Sequence, residues 1–179
     1  MKLYLGSATP PFHPQHLEVM GNVDEWTAVD LYVDHPQVKK WDVRDLPVDD
    51  NSVDAIYASH LLEHLPHVEL HKALIHWNKK LRVGGKLILN VPDLLWACSS
   101  LLTYVSTGKL EGYYNRFDGE HGLLSIFYGS QSHDGEYHKA GFIKSYLYEL
   151  LKEARYRNIV IKDYYDAHDM GVLLSECQK

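Results

Sequence analysis

Only two cysteines, Cys98 and Cys177, occur in the 179 residues, and they stand too far apart for a metal-binding or redox pair. That excludes thiol-based metal and redox chemistry and points to a reducing, cytoplasmic setting. Lysine- and arginine-rich runs are missing as well, and the net charge is −6. A dedicated nucleic-acid surface is therefore not expected. Long apolar runs are also lacking. The longest, "LLWACSSLLTYV", contains two serines and is too short to cross a bilayer, so no membrane partner is expected. The opening "MKLYLGS" lacks the apolar core and cleavage site of a signal peptide. There is no internal repeat, low-complexity tract or linker. With 45% hydrophobic residues, residues 1–179 read as one globular domain with its own core.

Short apolar runs alternate with helix-like stretches. "KLYL" (Lys2–Leu5), "WTAVD" (Trp26–Asp30), "VKKWD" (Val38–Asp42) and "SVDAIYAS" (Ser52–Ser59) read as four strands. Leu61, Leu62, Leu65, Val68, Leu70, Leu74, Trp77 and Leu81 then recur with helical periodicity. Gly84 and Gly85 are expected to cap that helix, and "KLILNV" (Lys86–Val91) to form the fifth strand. "DLLWACSSLLTYVSTG" reads as a helix closed by Gly108, and "FIKSYLYELLKEARY" as an amphipathic helix. Between them runs a Gly-, Tyr- and His-rich excursion, and 93–140 reads as an insertion or lid over the active face. "NIVIKDYY" and "GVLLSEC" close the chain as two strands joined by "DAHDM". Such alternation predicts an α/β fold with a mostly parallel sheet flanked by helices. The short last connection predicts an antiparallel pair at one edge.

Open parallel sheets bind ligands at the carboxyl ends of their strands. Asp30, at the end of the second strand, suits hydrogen bonding to ribose hydroxyls, although a turn residue there is equally common. Asp42, a second acid at the end of the third strand, strengthens the case for a nucleoside pocket.

The stretches "LYLGS", "WTAVDL", "DVRDLPVDDNSVDAIYASHLLEHL", "LRVGGKLILNVPD" and "YHKAGFIKSYLYELLKEARY" together resemble the class I S-adenosylmethionine-dependent methyltransferases, in particular a small bacterial subgroup. The resemblance implies a Rossmann-like three-layer sandwich whose seven strands lie in the order 3-2-1-4-5-7-6, with strand 7 antiparallel. It implies S-adenosyl-L-methionine as cofactor. Gly6 and Ser7 would approach its methionine part. Asp30, with Leu31 beside it, would hold the ribose. Asp42 would face the adenine amino group with Val43 beside the ring, and Ser59 and His60 would line the methyl side. Where the family usually has a second glycine, this chain has Ala8. Pro10, Pro11 and Pro14 follow, so the usual first helix should be shortened or missing. The fourth strand does not end in the Asn/Asp-Pro-Pro-Tyr motif of many base-methylating enzymes, which again argues against nucleic acid.

His60, His64, His67 and His71 recur every three or four residues, a spacing that zinc can use. Pro66 nonetheless suits the first turn of a helix and disfavours helix just before it, which leaves His60 and His64 in a loop. No cysteine accompanies the stripe, and no metal is expected. His60 and His138 are the catalytic candidates, since an imidazole can take a proton from an acceptor hydroxyl. Tyr113, Tyr114, His133 and Tyr137 are further lid candidates. Leu147, Leu150 and Leu151 read as core. The expected activity is methyl transfer to a small or medium-sized acceptor. The alternative is an inactive, methyltransferase-fold binding or scaffold protein, motivated by Ala8 and the proline-rich first loop.

Overall fold

The computed structural model describes residues 1–8, 17–110, 122–165 and 171–179. Pro10, Pro11, Pro14, Tyr113, Tyr114 and the "DAHDM" connection lie outside the described residues. Seven strands form one sheet: β1 (Lys2–Leu5), β2 (Trp26–Val29), β3 (Val38–Lys39), β4 (Val53–Ser59), β5 (Leu81–Pro92), β6 (Arg157–Tyr165) and β7 (Gly171–Gln178). Their order is β3-β2-β1-β4-β5-β7-β6. The pairs from β3 through β5 are all parallel, whereas β7 runs antiparallel to both β5 and β6. This is the strand order that the resemblance implies.

The layers follow from the two-residue period of the strands. Leu3 and Leu5 of β1, with Ile56 and Ala58 of β4, point to one face of the sheet. Leu70, Ala73, Leu74 and Trp77 of helix α2 (His67–Lys80) cover that face with Leu147, Leu150 and Leu151 of helix α5 (Lys144–Glu153). The intervening Tyr4, Ala55 and Tyr57 point the other way, to Trp26 and to Met20 of the four-residue helix α1 (Leu17–Met20). Tyr4 and Tyr57 stack there with centroids 5.3 Å apart. Farther along, Val172 of β7 packs on Ala97 of helix α3 (Leu94–Thr107) and on Leu123 and Ile126 of helix α4 (Leu123–Tyr128). Asp93 caps α3 by accepting from the Leu95 amide, and Gly108 ends it in the left-handed region. No helix among the described residues is long and apolar enough to cross a membrane.

Two expectations are overturned. The third strand does not reach Asp42: β3 stops at Lys39, three residues before it. Gly84 and Gly85 do not cap α2, which ends at Lys80 and gives way directly to β5 at Leu81. The glycines lie inside β5, where the pairing with β4 shifts between Val53↔Leu81 and Ala55↔Lys86. Gly84 takes φ +75°, and a Cβ on Gly85 would sit 2.8 Å from the Arg82 carbonyl oxygen. The pair absorbs a β-bulge, a second use of glycine in apolar strand sequence.

Candidate active site

A cavity of about 390 Å³ opens at the carboxyl ends of β1, β2, β3 and β4. Six of the residues expected to hold the cofactor line it: Gly6, Asp30, Leu31, Asp42, Val43 and His60. Ser7 and Ser59 do not; both are buried. Ser59 Oγ accepts from Asn90 Nδ2 at 3.4 Å, whereas Ser7 Oγ has no hydrogen-bond partner among the described residues.

Backbone conformation shapes the near wall. Gly6 has φ +67°, and a side chain there would meet Leu61 at 3.0 Å. Ala8 has φ +52° and His60 φ +48°, both in the left-handed region that disfavours a Cβ. The family glycine that Ala8 replaces would sit there without strain. His60 is held in this conformation by its own amide, which donates to the Asn90 carbonyl at 2.8 Å. Strain of this kind is found mostly at functional positions.

The two acids are already engaged. Asp30 Oδ1 accepts from the amides of Tyr32 (2.8 Å) and Val33 (3.2 Å), and Oδ2 accepts from the Ala8 amide at 3.1 Å. A carboxylate offers about four acceptor positions, so roughly one remains, on Oδ2. Asp42 is gripped by Arg44, with Nη2 2.6 Å from Oδ2 and Nε 2.9 Å from Oδ1. These hydrogen bonds hold the Asp42 carboxyl below its usual range against the opposing pull of partial burial. From behind, Trp77 Nε1 donates to the Val43 carbonyl at 2.7 Å and anchors this wall to α2.

Basic and aromatic side chains also line the cavity: Tyr32 and Arg44 beside the two acids, and His64, His133 and Lys139 elsewhere, with Glu136 and several apolar residues including Leu61, Leu65 and Pro66. Tyr32 meets the His133 ring at 5.4 Å, bringing the excursion onto the β2 loop. Tyr32, Arg44 and Lys139 were not foreseen from sequence. Their one signal was adjacency: Tyr32 and Arg44 each follow a foreseen acid by two residues, and Lys139 follows His138.

The histidine stripe divides as Pro66 suggested. Leu62–His64 forms a 3-10 turn, and α2 begins at His67. His67 stacks on Tyr146 and its Nε2 lies 2.7 Å from the tyrosine hydroxyl. His71 is part of α2, and its Nε2 is buried without a hydrogen-bond partner among the described residues. His60 and His64 stand at the cavity, and Glu63 lies buried between them in sequence. Glu63 is 1% exposed, and its Oε1 lies 3.3 Å from His60 Nδ1. The two form an ion pair only when His60 is protonated, and among the described residues neither carboxylate oxygen has a hydrogen-bond partner. Burial pushes the Glu63 carboxyl up, but His60, His64 and His138 outweigh it and hold it below its ordinary range.

His138 does not line the cavity. It is half-buried behind His64, with the ring centroids 4.8 Å apart in a T-shaped contact. The segment carrying it is tied to the turn after β4 through the Glu63 carbonyl, which accepts the amides of Lys139 (2.7 Å) and Ala140 (3.1 Å).

A family model described as a methyltransferase domain matches residues 19–89. No curated protein matches the chain. Among solved structures, the chain is similar to the 1,6-didemethyltoxoflavin-N1-methyltransferase of Burkholderia thailandensis, which contains 1,6-didemethyltoxoflavin and S-adenosylhomocysteine. The identity is 16%, the TM-score 0.61, and the match covers 99% of this chain and 70% of that one. An S-adenosylmethionine-dependent methyltransferase from Archaeoglobus fulgidus matches at 14% identity and TM-score 0.63, covering 99% and 85%. One from Methanosarcina mazei matches at 16% and 0.63, covering 99% and 91%. Identities this low speak for the fold. Together with the family match over residues 19–89, they give the chain the fold of the S-adenosylmethionine-dependent methyltransferases, and one of these neighbours holds S-adenosylhomocysteine.

Proposed function

We propose that the protein transfers a methyl group from S-adenosylmethionine to an oxygen or nitrogen of a small or medium-sized acceptor. The observation that carries this reading is the cavity at the ends of β1 to β4, with acids on its β2–β3 side and histidines at the end of β4. Bound S-adenosylmethionine supplies a methyl group already activated by its sulfonium. The protein's task is then mainly alignment.

Gly6 lets the β1 loop approach the methionine part closely. Asp30 offers its remaining acceptor position to one ribose hydroxyl, and a second hydroxyl would take the place of the longer bond from Val33. Asp42 shares its oxygens between Arg44 and the adenine amino group, and Leu31 and Val43 cover the faces of the nucleoside. Ser7 and Ser59 support the wall from within. His60 accepts the proton of an acceptor hydroxyl, with its Nδ1 turned to Glu63. The 93–140 segment forms the acceptor side of the pocket through His133, Glu136 and Lys139. A small-molecule acceptor suits a pocket this size, and the Burkholderia enzyme holds one.

Isothermal titration with S-adenosylmethionine and S-adenosylhomocysteine tests the reading. Saturable binding of both is expected. No heat and no thermal shift with either at millimolar concentration would sink it. Binding by Ala8→Gly alone would show a pocket that has lost its cofactor through the strained Ala8.

A further inference from the structure

We propose that Glu63, His64 and His138 form a binding site for a divalent cation of the zinc class, set at the acceptor side of the cavity. One ligand atom from each residue, a carboxylate oxygen or a ring nitrogen, lies within 4.8 Å of the other two. Bonds of about 2.0–2.1 Å around a tetrahedral ion place ligands roughly 3.3 Å apart, so a closure of up to about 1.5 Å completes the site. Two histidines and one carboxylate form a ligand set that zinc uses with an open position.

Three further observations support it. Glu63 is a buried carboxylate with no hydrogen bond to either oxygen, and a buried charge is stable only when paired or bound to a metal. His60 approaches Oε1, which leaves Oε2 to the cation. The histidines, in turn, are oriented as metal ligands are. His138 Nδ1 lies 2.9 Å from the Ile126 carbonyl oxygen, and His64 Nδ1 lies 3.3 Å from that of Tyr137. A carbonyl only accepts, so each Nδ1 carries the proton and each neutral ring keeps its lone pair on Nε2. Finally, the Lys139 and Ala140 amides on the Glu63 carbonyl hold the two sequence segments together whether or not an ion is bound.

His64 lines the cavity, so open coordination positions would face the acceptor and could hold its oxygen. That use rests on the methyltransferase reading; binding of the ion does not.

Full-length protein prepared without a histidine tag and stripped with chelator would be titrated with cobalt(II), followed by its visible d–d absorption, and then displaced with zinc(II). One tightly held cobalt per chain is expected. Glu63→Gln and His138→Gln should each weaken binding at least tenfold, and His35→Gln, which is not one of the three ligands, should leave it unchanged. Because Glu63 is buried, folding of its variant is checked by circular dichroism, and His64→Gln at a half-buried position provides a second test. No saturable cobalt signal, or affinity unchanged in all three variants, would overturn the site. Cofactor titration of the stripped protein separates the two ideas: cobalt binding without cofactor binding refutes methyl transfer alone, and the converse refutes the metal site alone.

Discussion

The two halves of the cavity treat their carboxylates in opposite ways. On the β2–β3 side, Asp30 is saturated by three backbone amides but for about one position, and Asp42 is locked in the fork of Arg44. On the β4 side, Glu63 is more deeply buried than either, and among the described residues its carboxylate accepts no hydrogen bond and has only His60 Nδ1 beside it, at 3.3 Å. Placing an acid at a strand end is therefore only half of building a site. The first half-site is organised before any ligand arrives and adjusts little. The second stores an unsatisfied charge among three imidazoles, a demand that a cation or a proton must meet.

The contrast can be tested most sharply at Asp30. Asp30→Ala removes a ribose acceptor and three loop bonds, so cofactor affinity should fall by about tenfold or more, or roughly 1.4 kcal/mol. Equal affinity by isothermal titration, with the variant folded, would reduce Asp30 to a turn residue. Trp77→Phe tests the wall from behind. It leaves the buried Val43 carbonyl without its donor and should cost about 1–3 kcal/mol in urea denaturation while leaving the histidine side undisturbed. Arg44→Ala should cost less than about 1 kcal/mol, since its pairs with Asp42 and Glu69 are largely exposed. A larger loss would mean that the fork, and not α2, holds the β3–β4 loop.

The smallest effect concerns pH. His76 Nε2 accepts the Leu46 amide at 2.9 Å, and its protonation is disfavoured first by burial and then by Lys80, against the pull of Asp45 and Asp50. Its native pKa lies below the unfolded value, so the unfolded chain binds the proton first. Stability should fall as pH drops below about 6.5 and level off beneath the native pKa. His76→Gln should flatten that slope, as read from urea midpoints at successive pH values. An identical slope would exclude His76 as a source of acid sensitivity.

The sheet was largely legible because its strands declare themselves locally. β1 and β4 are short, apolar and bounded by turn residues, and Pro66 marks the start of α2. The β5 start was not legible, because Gly-Gly signals a helix end and a bulge alike, and only pairing with β4 decides between them. Asp30 was readable for a similar reason, since it directly follows β2, whereas Asp42 reaches the cavity from a loop three residues beyond the end of β3. Glu63 escaped notice among the histidines, although an acid between leucines in "LLEHL" is itself a mark of burial. Its partner His138 arrives from the far end of the excursion, and no local spacing foretells that meeting. Arg44 and Lys139 were missed because long basic side chains on loops read as solvated.

The position of β7 affects how the chain is made. β5 has twelve residues, and its free edge, opposite β4, is covered only by β7, which follows β6 in sequence. During synthesis, β1 through β5 emerge and pair first. A long edge bearing Leu87, Leu89 and Val91 then waits while α3, the excursion, α5 and β6 are made. Unpaired edges of this kind recruit strands from neighbouring molecules. A nascent chain stalled before Gly171 should therefore need a chaperone more than the finished protein does.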